Sequence, residues 1–264
     1  KAGFAKITPG RGLLIRGGTY YEGELAPASG GKSQAPVVIS SYKGEKVVID
    51  GAQPETISDG WRVQGDGIYS APFAGRTWNV TVAEKAGGKY YRLYPVRTKK
   101  ELDERKSVRW TFDQLGFTGA YHCDGKSLYV VPPKGGIDQY NVYAARYTHA
   151  INLTNVTNVY IDGLEFHHFG QGDYGSAVNI LDSSEVLIQN CAVYYCNSGV
   201  WVKGNSSLNT VQDCSFVDDV NHWHFTYTKN DDGWAYHSQI ETGGLVVDGV
   251  YSGRGLVFRR NRVE

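Results

Sequence analysis

The chain is made of short runs of branched and aromatic residues separated by Gly, Asn and Asp, and it has almost no helical periodicity. These runs predict strands at 13–16, 36–41, 47–50, 78–82, 127–131, 150–153, 159–161, 177–181, 186–189, 199–202 and 255–259. A charged run at 98–106 is the one predicted helix. The pattern is that of an all-β protein.

The second half of the chain repeats itself. Val159-Tyr-Ile-Asp-Gly-Leu-Glu-Phe166, Val186-Leu-Ile-Gln-Asn-Cys-Ala-Val193, Asn209-Thr-Val-Gln-Asp-Cys-Ser-Phe216 and Val257-Phe-Arg-Arg-Asn-Arg-Val263 align with a turn residue at Gly163, Asn190, Asp213 and Asn261. The turn residues are 27, 23 and 48 apart, and the last interval reads as two coils with an irregular one between Asp213 and Asn261. Short strands punctuated at a fixed place by Gly, Asn or Asp are what a parallel β-helix requires. Each coil turns where left-handed backbone is tolerated, and each strand pairs with the next coil about 4.8 Å above it. Leucine-rich repeats share the period but need a leucine frame that is missing here; a β-sandwich is the rival architecture.

The first half keeps the period only over 12–51, which reads as two coils. Irregular β-runs, the short helix and the paired Pro132 and Pro133 follow before coil-like sequence resumes near Ala150. The expected organisation is first coils over 1–55, an inserted β-rich subdomain over 56–147, and coils over 148–264 that continue beyond the chain end.

Composition narrows the function classes. The 264 residues carry 27 basic and 27 acidic side chains, with no basic block to match a polyanion, which argues against nucleic acid as a partner. No stretch approaches the roughly 18 apolar residues of a membrane span, so no membrane partner is expected either. The absence of methionine points to a processed form or a piece of a longer chain. Cys123, Cys191, Cys196 and Cys214 form no zinc-type pair, and Cys191 and Cys214 fall at equivalent repeat positions, as stacked buried thiols would. Oligomeric state is left open.

Pro9-Gly-Arg-Gly-Leu-Leu-Ile-Arg-Gly-Gly-Thr-Tyr-Tyr-Glu-Gly23, followed by Ala35-Pro-Val-Val-Ile-Ser-Ser-Tyr-Lys-Gly-Glu-Lys-Val-Val-Ile-Asp-Gly51, resembles the opening coils of right-handed parallel β-helix carbohydrate enzymes. These include polysaccharide lyases of the chondroitinase B and alginate lyase type and several glycoside hydrolases. The early β-rich insertion, with Asp59-Gly-Trp-Arg-Val-Gln-Gly-Asp-Gly-Ile-Tyr69 near its start and Lys126-Ser-Leu-Tyr-Val-Val-Pro-Pro133 near its end, is similar to that of the β-helix β-xylosidases, whose helix a sandwich module interrupts. The resemblance implies a right-handed parallel β-helix and a carbohydrate-active enzyme. It matches no catalytic residue motif for motif.

The densest candidate chemistry lies in 218–244, where His, Trp, Asp and Glu break the repeat. Glycoside hydrolysis needs two carboxyl groups about 5–5.5 Å apart for retention or about 6.5–9.5 Å for inversion. Asp218 and Glu241 are 23 residues apart, one coil, and Asp219 is 22 before Glu241. Strand alternation lets only one of the two aspartates share a face with Glu241. Asp218 or Asp219 with Glu241 is the expected catalytic pair, and His222, Trp223, His224, Trp234 and His237 are expected to shape the sugar subsite. The His222-x-His224 pair lacks an identifiable third ligand, so no metal is assigned. His167-His168 and Asp173 occupy a lengthened connection that can wall a groove, and stay outside the catalytic set.

The leading reading is hydrolysis of a plant or algal polysaccharide or oligosaccharide by a secreted or periplasmic protein, without a cofactor. The second is uronate-polysaccharide β-elimination, for which Lys203, Lys229, Arg254, Arg259 and Arg260 supply cations and Asp231 and Asp232 supply oxygens for Ca²⁺. The third is a non-catalytic glycan-binding or structural β-helix.

Overall fold

A computed structural model describes residues 1–52, 57, 60–107, 110–115, 118–172, 175–218, 225–226, 237–238, 245–248 and 253–264. Three parallel sheets wind into a β-helix. Face A stacks Gly12–Ile15, Val37–Ser41, Val159–Asp162, Leu187–Gln189, Thr210–Gln212 and Val257–Arg259. Face B stacks Gly18–Tyr20, Val47–Asp50, Glu165–His167, Ala192–Tyr194, Ser215–Val217 and Arg262–Val263. Face C stacks His149–Thr154, Ser176–Leu181, Val200–Lys203 and Leu245–Asp248. The all-β, right-handed parallel β-helix expectation holds.

In-register stacking puts like side chains above one another. Ile39, Ile161, Ile188 and Val211 form one inward column, and Ile49, Phe166, Val193 and Phe216 another; all are buried. Each such side chain contributes roughly 1.5–3 kcal/mol through removal from water. The corner between faces A and B explains the Gly/Asn/Asp signature, because Gly163, Asn190 and Asp213 have φ of 68°, 52° and 55° there. In the last coil that conformation falls on Arg260, at 53°, rather than on Asn261. Val257 pairs with Thr210, so the aligned repeat slips by one; Asn261 takes the place of Cys214 and caps its backbone N–H through Oδ1 at 2.9 Å.

The interval read as two coils is a single coil. Thr210–Gln212 pairs directly with Val257–Arg259, and Ser215–Val217 with Arg262–Val263. Residues 218–244 therefore form one long connection between face B and face C, where Leu245–Asp248 pairs with Val200–Lys203. Asp218 follows directly on Ser215–Val217 of face B, and Glu241, its expected partner, lies outside the described residues.

The first half follows the same logic. Val47–Asp50 ends on face B, His149–Thr154 resumes on face C, and the intervening chain folds into two main sheets, mostly antiparallel, and a small two-stranded one, Lys106–Ser107 with Trp110–Thr111. The larger holds Arg62–Gly65, Ile68–Gly75, Gly125–Val131, Ala120–Cys123 and Tyr94–Pro95; the smaller holds Tyr140–Ala144, Val80–Glu84 and Tyr90–Arg92. They enclose a second core that includes Phe73, Val82, Leu93, Tyr121, Leu128 and Val142. The predicted helix is shorter than expected, Lys99–Asp103. Thr98 caps it, Glu101 reciprocates, and Lys106–Ser107 is already a strand.

Candidate functional site

Three long departures from the helix leave at the corner between faces B and C. The insertion does so after Asp50, the connection Phe169–Gly175 after His168, and the connection 218–244 after Val217. The face B ladder continues one residue into that corner, with Gly51 N–H donating to His167 O at 2.8 Å, His168 N–H to Tyr194 O at 3.1 Å, Tyr195 N–H to Val217 O at 3.0 Å and Asp218 N–H to Glu264 O at 2.9 Å. His168, Tyr195 and Asp218 are thereby stacked, one per coil.

The smaller inserted sheet docks on this stack. Tyr143 lies against His168 with ring centroids 4.2 Å apart, and Tyr90 against Tyr195 at 4.5 Å, both pairs nearly parallel. Asn79 Nδ2 donates to Phe169 O at 2.9 Å and to Tyr195 O at 2.7 Å. Arg92 donates to Asp218 Oδ2 at 2.8 Å, to Cys196 O at 3.2 Å and to Asn197 Oδ1. Both members of the Arg92–Asp218 ion pair are buried.

A cleft of about 770 Å³ opens between the insertion and the outer surface of face B. Thr19, Tyr21, Lys46, Val48, Asp50 and His167 line its helix side; Trp61, Lys85, Asp138, Tyr140, Asn141 and Tyr143 line the other. Alternation explains the helix side, since Val48 and Asp50 flank inward Ile49 while Glu165 and His167 flank inward Phe166.

The charges in the cleft are organised. Glu165 Oε2 accepts from Lys46 Nζ at 3.1 Å and lies 3.3 Å from His167 Nε2. Burial, reinforced by His168, holds the His167 pKa below the usual histidine value, so its imidazole is neutral at neutral pH. Asp50 Oδ1 accepts from Ala52 N–H at 2.9 Å and from His168 Nδ1 at 3.0 Å. The other ring nitrogen, His168 Nε2, is buried with no hydrogen-bond partner among the described residues. Burial and the neighbouring Tyr90 raise the Tyr143 pKa, which keeps that phenol protonated.

Of the residues expected from the sequence, Asp218 is described: it is the buried anchor of Arg92 at this corner. His237 falls in the two-residue strand His237–Ser238, which pairs antiparallel with Phe225–Thr226. Asp219, His222, Trp223, His224, Trp234 and Glu241 lie outside the described residues, as do Asp173, Lys229, Asp231 and Asp232. The other lyase cations do not gather at the cleft. Lys203 sits over the Trp201 ring on face C, Arg259 donates to Gln212 on face A, and Arg260 pairs with Asp213 beside it. Sequence reasoning left Asp50, His167 and His168 out of the site and did not consider Lys46, Trp61 or Tyr143. The readable signal was His167-His168 at the end of a face B strand, directly before a lengthened connection.

Residues 121–263 match a family model described as the right handed beta helix region. Among solved structures, the chain is similar to XylC, determined in complex with xylose, with a TM-score of 0.56 and 12% identity over 96% of this chain and 53% of XylC. The chain thus spans about half the length of that protein, and at this identity the likeness concerns the fold. The tailspike gp61 of Pseudomonas phage phi297 aligns over 95% of this chain and 42% of its own, at 9% identity and a TM-score of only 0.21. No curated protein sequence is a significant match.

Proposed function

The chain belongs to the right-handed β-helix family, and from that premise we propose that it is a carbohydrate-active enzyme that takes a glycan into the cleft at the corner of faces B and C and hydrolyses it. The cleft carries this reading. Trp61, Tyr21 and Tyr143 offer aromatic surface for the C–H faces of sugar rings, while Lys46, Asp138, Asn141 and His167 offer donors and acceptors for hydroxyl groups. The XylC likeness supports the fold on which such a site is built.

Hydrolysis needs a carboxyl pair. Arg92 engages Asp218, and His168 with the Ala52 N–H engages Asp50, so neither is the first choice for attack or proton donation. The reading therefore gives the roles to Asp219 and Glu241, in the connection that leaves the helix at this same corner. One observation favours a second reading, uronate β-elimination: the cleft combines two lysines, Lys46 and Lys85, with the neutral imidazole of His167. A cation neutralises the uronate carboxylate and a neutral imidazole removes the adjacent proton.

One assay separates these readings. The protein is incubated with neutral and uronate-containing glycans while reducing ends and the ultraviolet absorbance of unsaturated products are followed, with Glu241→Gln and His167→Gln alongside. Reducing ends without absorbance, lost in Glu241→Gln, is the expected result. Absorbance that disappears in His167→Gln moves the assignment to elimination, and silence in both channels overturns the enzymatic reading.

A further inference from the structure

We propose that Asp50, His167 and His168 form a binding site for a divalent transition-metal ion of the zinc class, set in the floor of the cleft. One ligand atom from each of the three residues lies within 4.8 Å of the other two, and theirs is the one such convergence of His, Cys, Asp and Glu side chains among the described residues.

The fold builds this cluster by register. Asp50 and His167 are paired neighbours on face B, so their side chains project side by side from the same surface. His168 follows in left-handed backbone, φ 56°, which turns its ring back beside Asp50 at the corner. The spacing suits a small ion. Zinc-type bonds of about 2.0–2.1 Å place tetrahedral ligand atoms roughly 3.3–3.4 Å apart. The Asp50 Oδ1–His168 Nδ1 edge is 3.0 Å and is spanned by the Nδ1–H hydrogen bond, so a bound ion takes the place of that proton, which leaves to solvent. His167, about a fifth exposed toward the cleft, has room to close the remaining edges.

The donor chemistry selects the ion class. Two imidazoles and one carboxylate favour zinc, nickel or cobalt over calcium or magnesium, which take oxygen ligands. The surroundings support the ligands. Tyr143 holds the His168 ring from one side, and Glu165 receives the second nitrogen of His167, the outer carboxylate contact common around metal-bound histidines. Asp50 and Glu165 offset the nearby Lys46, so a cation is not repelled from this floor. Three protein ligands beside an open cleft leave at least one coordination position for water or a ligand oxygen. The site does not depend on the glycan reading, because metal binding is measured without a sugar.

The test uses the whole chain stripped with chelator and titrated with Zn²⁺ by calorimetry, and with Co²⁺ by visible absorption. One ion per chain and Co²⁺ bands of low-symmetry nitrogen and oxygen coordination are expected. Asp50→Asn keeps the hydrogen-bond acceptor for Ala52 and His168, and His167→Gln alters a side chain at the cleft surface. Each is expected to weaken binding by at least about a hundredfold, with unchanged circular dichroism. His222→Gln/His224→Gln removes the other histidine pair of the sequence and should bind like the wild type. No Zn²⁺ binding by the wild type, or binding abolished only in His222→Gln/His224→Gln, would overturn the proposal.

Discussion

Replacing Arg92 by Met tests how the insertion is fixed to the helix. The guanidinium is buried, with a side-chain exposure of 2%, and faces Asp218 at 7%. Removing one partner of such a pair leaves a buried carboxylate without its counter-ion, a loss of about 3–5 kcal/mol. The Cys196 carbonyl and Asn197 Oδ1 lose their donor as well, at about 1–3 kcal/mol each before relaxation, so the pair term sets the lower bound. Urea unfolding of wild type, Arg92→Met and Arg92→Met/Asp218→Leu gives the comparison, with amide exchange over 78–96 and 140–146 reporting whether the insertion loosens first. Arg92→Met should lose at least about 3 kcal/mol, and the double variant should be the more stable of the two because no lone charge is left buried. A single variant within about 1 kcal/mol of wild type, or a double variant weaker than the single, would refute the reasoning.

Three further outcomes follow from the described geometry. Burial pushes the His149 pKa down to about 4, against the opposing pull of Glu24, so between pH 6.5 and 4 the unfolded chain binds a proton that the folded chain excludes. Stability is therefore full above pH 6.5 and declines as pH falls toward 4, by on the order of 3 kcal/mol in total, and His149→Gln should flatten that part of the urea-midpoint profile. A Cβ on Gly175 would sit 2.2 Å from the Gly170 Cα, whereas one on Gly88, already at φ 65°, meets open space. Gly175→Ala should cost more than about 2 kcal/mol in thermal unfolding, and Gly88→Asn less than about 0.5. Burial pushes the Cys196 thiol up to about 12, the hydrogen bond with Cys214 together with burial raises that of Cys191, and burial also raises that of Cys123, so access decides: a thiol reagent at pH 8 should label the partly exposed Cys123 first among Cys123, Cys191 and Cys196, and both others on denaturation.

The helix was legible because its turn residues recur where the backbone enters the left-handed region, and because longer strands such as Val159–Asp162 on face A and Ser176–Leu181 on face C carry two or more inward apolar residues. Face B was not read as strands beyond Val47–Asp50. Glu165–His167, Ala192–Tyr194 and Ser215–Val217 each bury a single central residue, too few to show alternation. The slip at Arg260 arose because Asn261 is a better turn former than the arginine that occupies the turn. Spacing alone cannot distinguish two coils from one coil with a long connection, and this produced the extra coil expected between Asp213 and Asn261. The cleft was hidden for a different reason. Its two walls are more than 30 residues apart in the chain at every pairing of Asp50 or His167 with Lys85 or Tyr143, except His167 with Tyr143, and only the docking of the insertion brings them together. Arg92, whose target lies 126 residues away, had no local signature.

The central claim is that the cleft between the insertion and face B is where a glycan binds. Its most direct measurement is the affinity of the wild type for a panel of oligosaccharides, with Trp61→Leu, Lys85→Ala and the remote control Lys43→Ala measured beside it and each variant's unfolding recorded. The account predicts binding of at least one oligosaccharide, weakened at least about tenfold, or 1.4 kcal/mol, in Trp61→Leu and Lys85→Ala and unchanged in Lys43→Ala. Saccharide binding that survives both cleft variants intact, or no binding by the wild type, would contradict it.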